Sequence, residues 1–77
     1  MPTIYREAGY AFRFRANDRD EPPHVHVEGN GGRAKIWLAD SGVARPGRYN
    51  PRQLAQIEAI VEEHAHDFLR TWHEYFD

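Results

Sequence analysis

His24-Val25-His26-Val27-Glu28-Gly29-Asn30-Gly31-Gly32-Arg33-Ala34-Lys35-Ile36-Trp37-Leu38 reads as two alternating runs joined at Asn-Gly. Period-two alternation marks a strand with one buried face. Asn-Gly between two such runs is the strongest short hairpin signal, because both residues tolerate the positive φ of a tight turn. A two-residue turn fixes the register, pairing Glu28 with Arg33, Val27 with Ala34, His26 with Lys35, Val25 with Ile36 and His24 with Trp37. Opposed residues share a face, so every side chain on the hairpin is assigned to one side or the other.

Upstream, Tyr10-Ala11-Phe12-Arg13-Phe14-Arg15 also alternates, and a short strand around Thr3–Glu7 precedes it across Ala8-Gly9. Asn17–Pro23 reads as a charged loop, since Pro22-Pro23 forces extended backbone before it. Asp40–Tyr49 reads as a Gly/Pro-containing connection. Asn50 is an N-cap with Pro51 at the first helical position. From there Leu54, Ile57, Ile60, Val61, Ala65, Phe68, Leu69, Trp72, Tyr75 and Phe76 recur at helical spacing. An unbroken helix over that span is about 39 Å long, longer than the strands. Either it breaks in two near His64–His66, or its end projects and packs on another chain, a second copy included. The expectation is an α+β fold: three to four antiparallel strands with a C-terminal helix on one face.

Length and composition narrow the field. Seventy-seven residues make a single domain, 1–77, too small to enclose a bulky cofactor, and no cofactor is expected. There is no cysteine, which excludes disulfides, thiolate metal sites and thiol nucleophiles. No apolar run reaches the roughly 20 residues of a membrane span. Met1-Pro2-Thr3 does not open like a signal peptide, so a cytoplasmic location is expected. The net charge is −2, but it is divided unevenly. Residues 1–50 carry eight Arg/Lys against six acids, and residues 51–77 carry two against six.

With Tyr10, Phe12, Phe14, Val25, Val27, Ala34 and Ile36 turned toward the helix, the opposite face carries Arg13, Arg15, His24, His26, Glu28, Arg33, Lys35 and Trp37. A solvated antiparallel face is polar in any case. Three chemistries nevertheless fit these residue types. Arg13, Arg15, Arg33, Lys35 and Trp37 suit anion or nucleic-acid binding, cations meeting phosphates and the indole stacking on bases. His24 and His26 can divide acid and base roles on a phosphodiester, with Arg33 or Lys35 stabilising developing charge. His24, His26 and Glu28 have the chemistry of a metal site. Arg33 and Lys35 beside the rings weigh against a dication there. At the other end of the chain, Trp72, Tyr75 and Phe76 form an aromatic cluster suited to docking a partner. His64, His66 and His73 read as surface or boundary residues.

Pro2-Thr3-Ile4-Tyr5, Glu21-Pro22-Pro23-His24-Val25-His26-Val27-Glu28, Gly32-Arg33-Ala34-Lys35 and Trp72-x-Glu74-Tyr75-Phe76 resemble the bacterial domain-of-unknown-function family DUF4160 across nearly the whole chain. That resemblance implies a neighbouring gene for a second small domain, in an arrangement similar to toxin–antitoxin pairs. It implies a protein partner and interference with nucleic acid, RNA or DNA. It supplies no catalytic residue. His24-Val25-His26-Val27 also resembles the histidine-triad nucleotide hydrolases, but Glu28 stands where their third histidine would be and the chain is too short for their fold. The functional expectation is a small binding module, one half of a toxin–antitoxin-like or regulatory pair. The alternative is a metal-independent ribonuclease built on His24 and His26.

Overall fold

Asn30 and Gly31 adopt φ of +47° and +87°, the turn that the Asn-Gly pair predicts. The strands it joins, His24–Gly29 and Gly32–Trp37, pair in the predicted register at all five positions. The computed structural model describes residues 3–77. In chain order the strands are β1 (Thr3–Glu7), β2 (Tyr10–Arg13), β3 (His24–Gly29), β4 (Gly32–Trp37) and β5 (Val43–Arg45). They form one antiparallel meander in the order β1-β2-β3-β4-β5. A 3-10 turn, Ala16–Asp20, joins β2 to β3, and helix α1 spans Pro51–Phe76.

Two expectations need correction. The sheet has five strands, not three to four. β5 lies within the segment expected to be a plain connection. Three residues are too few to show alternation, and β5 is held by pairing to β4 and by the Trp37 N–H donating to the Gly42 carbonyl. The helix is also a single unbroken element of 26 residues. No Gly or Pro interrupts it after Pro51. Its extra length is taken up within the chain: Trp72 and Phe76 cover Phe14, which lies just past the end of β2.

Every residue assigned to the helix-facing side of the sheet is in the core: Tyr10, Phe12, Phe14, Val25, Val27, Ala34 and Ile36. Against them α1 lays Ile57, Ile60, Val61, Phe68 and Trp72. Each large apolar side chain buried in this way contributes about 1.5–3 kcal/mol. The helix starts on a reciprocal cap, with Asn50 Oδ1 accepting from the Gln53 N–H and Gln53 Oε1 accepting from the Asn50 N–H. Tyr49, just before the cap, ties helix to hairpin. Its hydroxyl donates to the Gly29 and Gly32 carbonyls at 2.7 and 2.9 Å. A Cβ on Gly32 would meet the Tyr49 ring at 2.8 Å, so glycine there is what lets the ring in.

Two predictions follow from this architecture. Ala8 holds φ of +54° in the β1–β2 turn, a conformation that costs a non-glycine residue roughly 1–2 kcal/mol. Ala8→Gly should raise stability by about 1 kcal/mol and the melting temperature by a few degrees, read by thermal denaturation. Burial, with smaller contributions from Tyr10 and Glu28, pushes the Tyr49 hydroxyl up to about 12. The fold therefore favours the protonated phenol. This stabilisation is complete below pH 10 and is lost as pH rises through about 12. Tyr49→Phe should remove a phenolate component titrating near 12 in the ultraviolet absorbance.

Candidate metal and anion site

The 3-10 turn places a carboxylate that sequence reasoning left in a featureless loop. Asp18 Oδ2 accepts from the Arg15 N–H at 2.7 Å, and the Asp18 N–H donates to the Arg15 carbonyl at 3.0 Å. This local closure turns the Asp18 side chain inward, where it is buried. There it meets both histidines of β3. His26 Nε2 is 3.0 and 3.1 Å from the two Asp18 oxygens. His24 Nε2 is 3.1 Å from Asp18 Oδ1. The ligand atoms of Asp18, His24 and His26 all lie within 4.8 Å of one another.

The two rings differ in environment. His26 is half-buried and reaches the outer surface of the sheet. His24 is 0% exposed, contrary to its expected place on the solvated face. Strand alternation does put it on the same side as His26. However, it sits at the end of β3, where the sheet gives out and other elements close over it. Trp37 and Trp72 pack on its ring at centroid distances of 5.7 and 5.3 Å, and Asp18 takes another side. His24 Nδ1 is 2.9 Å from the Pro22 carbonyl. A carbonyl only accepts, so Nδ1 carries a proton and donates. In the Nδ1–H tautomer Nε2 is a lone pair, buried without a hydrogen-bond partner although Asp18 Oδ1 is close.

Burial pushes the Asp18 carboxyl up, but hydrogen bonds from His26 and from the Arg15 backbone outweigh it and hold the group below its ordinary value. Burial holds His26 below its usual value, partly offset by the Asp18 hydrogen bond and charge. The pair thus rests as a carboxylate and a neutral imidazole donating from Nε2.

The charged residues around this centre form a cross-strand row. Arg13 pairs with His26, His26 with Lys35 and Lys35 with Arg45, so β2, β3, β4 and β5 each contribute one member. Arg15, His26, Glu28, Arg33, Lys35 and Arg45 line a hollow of about 140 Å³. A larger one of about 580 Å³ adjoins it at the turn end, with Arg33 and Arg48 above Gly29, Gly31, Gly32 and Gly47. Arg33 lines both. Arg45 and Arg48 were not foreseen, because the connection that holds them showed no strand pattern.

Several expected site residues are placed differently by the structure. Glu28 does not join the histidines; it pairs with Arg13 at 3.4 Å and Arg15 at 3.9 Å. The carboxylate beside the two histidines is Asp18 instead. Lys35, expected to repel a dication, is ion-paired with Glu21. Its ammonium lies 4.9 Å above the Trp37 ring, so Trp37 is half-buried under a cation rather than open for stacking. Trp72 is core, against Phe14 and His24, and is not a docking residue. Phe76 packs half-buried on the same cluster, which leaves Tyr75, at 39%, as the exposed member of the aromatic end. His64 packs on Tyr5 at 4.4 Å between centroids, and His66 and His73 are exposed. No helix among the described residues is long and apolar enough to cross a membrane.

Asp18 accepts from two part-buried donors, the His26 Nε2–H and the Arg15 backbone amide. In chelator-treated protein, Asp18→Ala should cost about 1–3 kcal/mol by urea denaturation, since it strands buried donors. Unchanged stability would mean the carboxylate does not occupy this position.

No curated protein and no solved structure gives a significant match to the chain. The family model described as "Domain of unknown function (DUF4160)" matches residues 9–73, most of the chain and all of the Asp18–His26 segment. The chain is a member of the DUF4160 family.

Proposed function

We propose that this chain is a small binding module that grips nucleic-acid phosphates on the outer face of its sheet, as one component of a toxin–antitoxin-like or regulatory pair. The cation row Arg13–Lys35–Arg45, with His26 in its midst, is the observation that carries the reading: Arg13 and Lys35 also meet Glu28 and Glu21, and Arg45 makes no ion pair among the described residues. Neighbouring strands are about 4.8 Å apart, so four strands spread these charges over about 14 Å. That spread suits contact with an extended phosphate backbone better than with a single small anion. Phosphate contacts need Arg and Lys but no base readout, which matches a face rich in guanidinium and poor in open aromatic rings. The net charge of −2 does not oppose this, because the acidic excess lies in residues 51–77, on the helix and its end, where six acids face two Arg. The same acidic helix, with Tyr75 exposed near its end, supports the second part of the reading: a basic or aromatic protein partner on the side away from nucleic acid.

The ribonuclease alternative draws less support. Direct acid–base chemistry requires both rings to touch substrate. His24 has no exposed surface, so only His26 is available for that task.

Fluorescence anisotropy with a labelled single-stranded RNA at low salt tests the nucleic-acid part. Binding should weaken with salt at a log–log slope of about −2, the value for roughly three neutralised phosphates. Arg45→Ala and Arg33→Ala should each weaken binding severalfold, and Arg70→Ala on the helix should not. Absence of binding at low salt, or an equal loss from Arg70→Ala, would overturn the reading. Size-exclusion mass measurement with and without the product of the neighbouring gene tests the pairing, and a lone monomer in both conditions would refute it.

A further inference from the structure

We propose that Asp18, His24 and His26 bind a transition-metal dication of the Zn²⁺ or Fe²⁺ class, with its open coordination positions facing the cationic hollow. The site stands independently of what docks on the outer face. Three observations carry it.

The donor set comes first. Two imidazoles and one carboxylate are the ligands that borderline dications take when a coordination position is kept open for water or substrate. Tetrahedral bonds of about 2.05 Å place ligand atoms about 3.3 Å apart. The nitrogens lie 3.0 and 3.1 Å from Asp18 Oδ1, close to that spacing, and all three ligand atoms fall within 4.8 Å of one another.

The buried nitrogen of His24 is the second. A lone pair sealed from solvent, without a hydrogen-bond partner, lies 3.1 Å from a carboxylate oxygen but off the line that a hydrogen bond between them would need. Such an arrangement calls for a cation between them. A metal answers it without adding a proton to a ring that has no exposed surface.

The outer contacts are the third. Metal-bound imidazoles and carboxylates are commonly held by a further hydrogen bond that fixes their orientation. Two of the three ligands already have one: His24 Nδ1–H to the Pro22 carbonyl at 2.9 Å, and Asp18 Oδ2 from the Arg15 N–H at 2.7 Å. His26 joins by moving its proton from Nε2 to Nδ1, which leaves the ring neutral. The ion then carries one positive charge after Asp18, with Lys35 paired to Glu21 and with Arg13 and Arg15 sharing Glu28. His26 is the ligand that reaches the hollow, so water or an anionic oxygen can complete the sphere from that side.

Co²⁺ added to chelator-stripped protein is the direct probe. One Co²⁺ per chain should bind, giving visible ligand-field absorption that excess Zn²⁺ abolishes. In proton NMR the ring signals of His24 and His26 should shift strongly, with His66 and His73 little affected. His26→Ala, at a position whose side chain is 12% exposed, and Asp18→Asn should each weaken Co²⁺ binding by at least about 100-fold, since loss of an outer contact alone costs 10–100-fold. A His66→Ala/His73→Ala double variant should bind as the wild type does. No Co²⁺ uptake by the wild-type chain would overturn the proposal. So would uptake that shifts His66 or His73 in place of His24 and His26.

Discussion

The Asn30-Gly31 turn constrains the rest of this molecule. A two-residue turn at positive φ admits one register between β3 and β4. A slip of one residue would exchange the faces of every side chain on the strand. Val25 and Val27 would leave the core, and His26 would leave the company of Lys35. Asn30 also reaches across to the neighbouring turn, its Nδ2 donating to the Ala8 carbonyl at 3.0 Å, and so couples the two hairpins. Gly29 allows that approach, because a Cβ there would meet the Gly9 carbonyl oxygen at 2.2 Å. The same turn thus aligns the core beneath the helix and the charged row on the outside.

On that frame the chain keeps an arrangement that costs stability. A carboxylate taken out of water carries a penalty, and one imidazole plus one amide only partly offset it. In a domain this small the apolar core has little margin to spare. Leu or Phe at position 24 would fill the space between Trp37 and Trp72 and leave only the Pro22 carbonyl, at an exposed residue, to bond to water. A histidine stands there instead, its Nδ1 anchored on the Pro22 carbonyl and its Nε2 buried 3.1 Å from Asp18 Oδ1 without a hydrogen-bond partner. Its neighbours serve both purposes: Trp72 closes the core over Phe14 and seals His24 from solvent in the same contact.

Regular alternation made the sheet legible. The hairpin register, the aromatic side of β2, the helix start at Asn50-Pro51 and the seven sheet residues of the core are all consequences of period-two or period-3.6 patterning. The errors lie where pattern fails. Val43–Arg45 is too short to show a period, and it is a strand because β4 offers it an edge. Asp18 sits in a five-residue 3-10 turn whose inward face is set by one backbone hydrogen bond. A clue was present, an Asp six residues before His24 in the loop leading into β3, but spacing through a loop does not fix a direction. His24 obeys the strand's parity and is buried all the same, because parity says which side a residue takes and not whether that side is covered. Trp72 belongs to the core for the complementary reason. The helix does not break, so its last turns extend over the end of the sheet.

Nitrogen NMR of the two strand histidines, in metal-free protein near neutral pH, tests the centre of this account most directly. Long-range nitrogen–proton correlations report which ring nitrogen carries the proton. The expected spectrum shows His24 protonated at Nδ1 with a pyridine-like Nε2, and His26 protonated at Nε2. A His24 ring with its proton on Nε2 and none on Nδ1 would contradict the donor geometry from which the site is built.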